Sequence, residues 1–161
     1  MTRNNKLTPK VKPRENKNAK SRIIAVGASA GGLEALKAFF NGIPEEDNNT
    51  YVVIQHLSPD YKSMMGELLA KSTKFPIKQI KDGMEMEEKT IYLIPPKCNL
   101  LVDDGCLKLV EKPERAHLNL PIDMFLESLS QYQKEKSVAV ILSGTGSDGT
   151  RGIRAIKEKD G

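Results

Sequence analysis

Three short stretches carry the side chains that a hydrolytic enzyme needs. Ser29 lies in the small-residue run GASAGG (27–32), His56 in VVIQHLSPD (52–60), and Asp148 in the loop SGTGSDG (143–149). A serine hydroxyl is a weak nucleophile until a base takes its proton. Imidazole suits that task because it titrates near neutrality, and a carboxylate on the far ring nitrogen fixes the tautomer and stabilises the imidazolium. Glycine around a serine allows the sharp strand-to-helix turn that exposes a nucleophile. Gly31 and Gly32 would open the next helix with free N–H groups facing a reacting carbonyl, and one oxyanion donor is worth roughly 2.7–4 kcal/mol of barrier. Other readings stand beside this one. GASAGG alone serves equally as a phosphate-binding turn, although it lacks both GxGxxG spacing and a following GK[ST]. His56 alone fits a structural histidine, and SGTGSDG alone fits a turn or cap. Spacing does not make three strand ends meet.

The elements that would position these residues follow a recognisable rhythm. RIIAVGA (22–28) and YVVIQHL (51–57) are short β-branched runs of the kind found in buried parallel strands. Between them, Leu33, Leu36, Phe39 and Phe40 recur at helical spacing, with Gly42 as a stop. Ser58-Pro59-Asp60 offers start chemistry for a helix carrying Met64, Met65, Leu68 and Leu69 on one face. The order β-α-β-α predicts a parallel sheet covered by helices. Residues 77–81, 90–94, 98–102 and 106–110 read as short strands of an antiparallel excursion, with Asp104-Gly105 as a hairpin turn. A helix then begins near Pro121, carrying Ile122, Phe125, Leu126 and Leu129. SVAVILSG (137–144) is a further buried strand, and a last helix carries Ile153 and Ile156. Ser29, His56 and Asp148 therefore fall at or beyond the carboxyl ends of the three best strands, where open α/β sheets place their sites. The expected class is α/β, a mostly parallel, doubly wound sheet with an antiparallel hairpin excursion in its middle. Because an α/β order would follow the last helix with another strand, the domain is expected to lack its C-terminal strand.

Charge narrows the partners. The chain of 161 residues carries a net +4, but residues 1–20 hold seven Lys or Arg and one Glu, a net of +6. The remaining 18 basic and 20 acidic side chains sum to −2. The basic character belongs to a tail with two Pro, four Asn and almost no aliphatic pattern, which is expected to be disordered. The folded part, residues 21–161, is slightly acidic and lacks the basic–aromatic interleaving of a nucleic-acid surface. No apolar run reaches the roughly 18–20 residues of a membrane span, and no apolar segment follows the basic N-terminus as in a secretory signal. A cytoplasmic protein is expected. Cys98 and Cys106 read as free thiols, Met64, Met65, Met84 and Met86 as packing residues, and His117 as exposed. No cluster has metal-ligand spacing, so neither metal nor cofactor is expected.

GASAGG (27–32), VVIQHLSPD (52–60), IYLIPP (91–96), LPIDMFLESLS (120–130) and VILSGTGSDGTRGIRAIKE (140–158) together closely resemble the bacterial chemotaxis protein-glutamate methylesterase family, the CheB-type catalytic domain. The resemblance runs from about Arg22 to Gly161, and several separated motifs in order make it specific. It implies that Ser29 is the nucleophile, His56 the base and Asp148 the orienting acid, a chain order unlike those common in hydrolases and proteases. It also implies backbone oxyanion donors near Ala30 and Thr145, positions where stand-alone members often carry Thr and Met. The implied activity is demethylation of glutamate γ-methyl esters on cytoplasmic chemoreceptor helices, with glutamine deamidation as a second activity. Twenty tail residues are too few for the receiver domain of stand-alone members. The wording therefore looks most like the esterase unit of proteins fused to a receptor methyltransferase, and the chain is expected to be cut short. The alternatives are a regulatory or binding module with weak turnover and, at GASAGG, a phosphate or nucleotide binder.

Overall fold

A computed structural model describes residues 21–29, 32–55, 64–112, 119–144 and 146–161. The basic tail, His56, the Ser58-Pro59-Asp60 helix start, His117, Ala30 and Thr145 lie outside the described residues. The elements run β1 (Ile23–Ala28), α1 (Gly32–Asn41), β2 (Thr50–Gln55), α2 (Met65–Ala70), β3 (Ile77–Gln79), β4 (Met84–Glu85) and β5 (Ile91–Leu93). They continue β6 (Cys98–Asp103), β7 (Cys106–Glu111), α3 (Pro121–Gln133), β8 (Ser137–Ile141) and α4 (Thr150–Lys157).

Five strands make one parallel sheet in the order β3-β5-β2-β1-β8. The period of two along its central strands divides the core into two layers. Ile23 and Ala25 of β1 and Val52 and Ile54 of β2 join Ile122, Phe125, Leu126 and Leu129 of α3 and Ile156 of α4. Val26 and Ala28, with Tyr51 and Val53, join Leu36 and Phe40 of α1 and Leu69 of α2 on the opposite face. Helices cover both faces, as the apolar runs on adjacent positions require, and the sheet is doubly wound. Tyr51 anchors the second layer, its ring 5.6 Å from that of Phe40 and 6.0 Å from that of Phe75.

The middle of the chain departs from expectation. β3 and β5 pair in parallel and extend the main sheet, with Ile77 opposite Ile91. Only β4, β6 and β7 form the separate antiparallel sheet. A parallel pair needs a crossover, and here the loop containing β4 provides it in place of a helix. Asp104 and Gly105 make the expected tight turn, with φ of 45° and 82°. Cys98 faces Glu111 while Cys106 faces Asp103, so the thiols sit at opposite ends of the hairpin and both are free.

Two smaller expectations are also corrected. Met64 immediately precedes α2 and is 62% exposed, because the helical register that buries Met65 and Leu69 begins one residue later. β8 ends at Ile141 and is half-buried rather than buried, because it is the outermost strand and pairs with β1 alone among the described elements. No helix among the described residues is long and apolar enough to cross a membrane.

Candidate active site

β1 lies between β2 and β8, so the ends of these three strands are neighbours by construction. Ala28 pairs with Gln55, the chain neighbour of His56, and Gly27 pairs with Ile141, two residues before Ser143. Ser29 follows β1 directly and is half-buried. Two backbone bonds hold it. Its carbonyl accepts the Gly32 N–H at 2.9 Å, and its own N–H donates to Ser143 Oγ at 3.3 Å. The Leu142 N–H donates to the Gly27 carbonyl at 3.0 Å, which carries the β1–β8 ladder one step beyond the strand and delivers Ser143 to that position.

Of the N–H groups expected to open the helix, that of Gly32 is spent on the turn, while Ala30, Gly31 and Thr145 lie outside the described residues. Gly32 has a packing role instead, since a Cβ there would lie 2.7 Å from Ala28 Cβ and 3.1 Å from Ser143 Oγ. Gly144 comes against the Ser29 side chain itself. Its φ is 151°, and a Cβ added to it would lie 2.9 Å from Ser29 Oγ. Only glycine lets the loop after β8 come this near the hydroxyl.

Asp148 is placed at the beginning of α3. Its Oδ2 accepts the Ile122 N–H at 3.1 Å and its Oδ1 accepts the Asp123 N–H at 2.9 Å. The first N–H groups of a helix have no partner within it, and a carboxylate is the natural acceptor at that positive end. Leu120, at the N-cap position, supplies no side-chain bond, and Pro121 fills the first turn, so Asp148 does the capping from another element. The same Ile122 packs beside Gly27, where a Cβ would meet its Cδ1 at 3.0 Å. Asp148 is thus tied to the residue that packs against β1 two positions before Ser29.

Three residues of this cluster make contacts that their local sequence does not announce. Ser143 and Gly144 stood only for a loop, because their contacts with Ser29 depend on β8 lying beside β1. Asp123 stood inside a helix; its signal was an acid two residues after a proline helix start. A separate cleft of about 590 Å³ opens between α2, β3 and β5, lined by Gly66, Phe75, Pro76, Ile77, Leu93 and Ile94 among others, and shares no residue with this cluster.

Comparison with known proteins bears on the whole arrangement. The family model described as CheB methylesterase matches residues 24–161. A protein-glutamate methylesterase/protein-glutamine glutaminase 3 of Pseudomonas aeruginosa is 30% identical over 158 residues, covering 98% of this chain and 47% of its own length. A putative protein-glutamate methylesterase/protein-glutamine glutaminase of Leptospira interrogans is 30% identical over 139 residues, covering 86% of this chain and 72% of its own. The crystal structure of the Thermotoga maritima CheB methylesterase catalytic domain matches with a TM-score of 0.77 at 26% identity, over 88% of this chain and 77% of that one. The chain spans a little under half the length of the first of these relatives.

Proposed function

Because the chain belongs to the CheB methylesterase family, we propose that it is a serine hydrolase that removes methyl esters from glutamate side chains of chemoreceptors. Ser29 Oγ attacks the ester carbonyl while His56 accepts its proton. Asp148 holds the imidazole in the tautomer that can accept and stabilises the cation as it forms. Methanol leaves with a proton from His56, and water hydrolyses the acyl-enzyme by the same relay. Backbone N–H groups at Ala30 and Thr145 stabilise the oxyanion. No cofactor enters these steps. The substrate is a side chain on a cytoplasmic receptor helix, which places the enzyme in the cytoplasm. Glutamine deamidation is the second activity, since an amide passes through the same tetrahedral intermediate. Residues 21–161 form the esterase unit, with a receptor methyltransferase as its fused or associated partner.

The observation that carries this reading is the order of strand ends. The serine follows the central strand of three, flanked by the strand that leads into the histidine and by the strand whose loop carries the aspartate. Such an arrangement is what a nucleophile–base–orienter relay requires of an open sheet. The experiment is methanol release from methylated receptor by the wild-type chain and by Ser29→Ala, with fluorophosphonate labelling alongside. Release and labelling that both vanish in Ser29→Ala support the esterase. A folded wild-type protein that neither labels nor releases methanol is instead a binding module, and unchanged release by Ser29→Ala excludes Ser29 as nucleophile.

A further inference from the structure

Asp123 is 1% exposed, and its carboxylate binds the backbone of the element that carries Asp148. Its Oδ1 accepts the Gly149 N–H at 3.0 Å and the Gly152 N–H at 2.7 Å. Gly149 is the N-cap residue of α4, with φ at 102°, and makes no cap bond of its own. Asp123 therefore caps α4 from α3, while Asp148 caps α3 from the turn before α4. The two acids exchange caps. Asp148 sits on the positive end of α3 and Asp123 on that of α4, and each satisfies donors that the helix cannot.

The exchange has a consequence for the site. Asp148 is held at two points: its side chain by the Ile122 and Asp123 N–H groups, and its following peptide by Asp123 Oδ1. Each Asp148 oxygen spends one lone-pair direction on a backbone bond, so the plane of its carboxylate is set by α3 and the position of its Cα by Asp123. A short side chain fastened at both ends has little freedom to rotate. The other oxygen of Asp123 lies 3.8 Å from Arg151 Nε, whose side chain is mostly exposed and reaches Glu127 as well. The geometry of Oδ1, rather than that outer ion pair, is what fixes the turn.

We infer that Asp123 is a positioning residue for the hydrolytic reaction, setting the orientation of Asp148 through the reciprocal capping of α3 and α4. The inference rests on the functional reading above, in which Asp148 orients the base. Misplacing a reacting group by about 1 Å costs on the order of 10²-fold in rate. Losing both Oδ1 bonds in Asp123→Ala is expected to lower kcat by about that factor, with KM within about twofold because Asp123 touches no substrate. Asp123→Asn keeps an Oδ1 acceptor and restores kcat to within about threefold of wild type.

The experiment is p-nitrophenyl acetate hydrolysis by the 161-residue chain, with rates normalised to folded protein by circular dichroism. It compares wild type, Ser29→Ala, Asp123→Ala, Asp123→Asn, Asp148→Asn and the double variant Asp123→Ala/Asp148→Asn. If Asp123 acts through Asp148, the double variant is no slower than Asp148→Asn alone. Asp123→Ser, whose single hydroxyl can accept one of the two bonds, replaces Asp123→Ala throughout should the alanine variant fail to fold. Wild-type kcat in the alanine or serine variant, or losses that multiply in the double variant, overturn the inference. Hydrolysis that persists in Ser29→Ala, or is missing in wild type, overturns the functional reading first and the inference with it.

Discussion

Gly144 offers the sharpest perturbation of the site, because one methyl group there presses on one hydroxyl. A Cβ would stand 2.9 Å from Ser29 Oγ and 3.7 Å from Ser29 Cβ, the first 0.5 Å inside the 3.4 Å at which ordinary contact begins. The backbone adds to this. At a φ of 151° an L side chain is strained, at a cost of about 1–3 kcal/mol. Ser29 has little room to retreat, since its N–H is held by Ser143 and its carbonyl by Gly32. In the proposed mechanism the hydroxyl would yield by rotating out of the position from which it attacks, or the loop bearing Asp148 would move away. Either response displaces a reacting group, and the rate of Ser29 modification is expected to fall by on the order of 10–10² in Gly144→Ala. Gly146 is the control in the same loop: a Cβ there meets nothing within 4 Å. Gly146→Ala is therefore expected to label within about twofold of wild type. The assay is the second-order rate of fluorophosphonate labelling of Ser29, followed by mass spectrometry, with thermal unfolding of each variant in parallel. Equal labelling rates in Gly144→Ala and wild type, or equal losses in both glycine variants, would show that the close approach of Gly144 to the Ser29 hydroxyl does not govern its reactivity.

Three further outcomes are expected. Asp148→Asn turns an amide nitrogen toward a backbone N–H at the start of α3, so urea unfolding should show a loss of about 1–3 kcal/mol, and ester turnover should fall by on the order of 10⁴. Gly152→Ala sets a Cβ 2.5 Å from Leu126 Cβ at the α3–α4 contact; overpacking of about 1–3 kcal/mol should lower the Tm in thermal unfolding. Burial, with help from the Asp47 carboxylate, pushes the Tyr51 phenol well above its ordinary 10.0, so above that pH the unfolded chain loses a proton that the folded chain keeps. Stability should then fall by up to about 1.4 kcal/mol per pH unit for this group, and Tyr51→Phe should remove that part of the slope in alkaline urea titrations.

Local signals made most of the fold legible. The runs at β1, β2 and β8 are short and β-branched, α1 and α3 show their apolar spacing, and Asp104-Gly105 marks its turn without reference to anything distant. What failed was pairing. β3 and β5 have three residues each, and three residues cannot reveal whether their partner runs parallel or antiparallel. Their place among four short strands in a row suggests one antiparallel excursion, but Met84–Glu85 joins β7 while β3 and β5 pair in parallel. The exposure of β8 was illegible for a related reason: Val138, Val140 and Ile141 have the composition of a central strand, and only the strand order puts them at an edge.

The site divides along the same line. Ser29, His56 and Asp148 are candidates on local grounds, because each lies in a short motif that follows or ends a strand legible in the sequence. The residues that hold Ser29 and Asp148 could not, because their bonds span 114 positions from Ser29 to Ser143 and 26 from Ile122 to Asp148. Such contacts exist only for one strand order and one register. With Gly27 opposite Ile141, the chain reaches Ser143 beside Ser29 and Gly144 against its hydroxyl. A shift of one residue in β8 would turn every side chain of that strand to the other face and carry Ser143 away from the Ser29 N–H. The α3–α4 contact resists that shift, because Asp148 and Asp123 fasten the loop after β8 to a helix already packed on β1 and β2. The capping exchange therefore guards the register of the edge strand as well as the direction of one carboxylate, and the glycines at 27, 144 and 152 are where that guarded register brings the chain too close for a side chain.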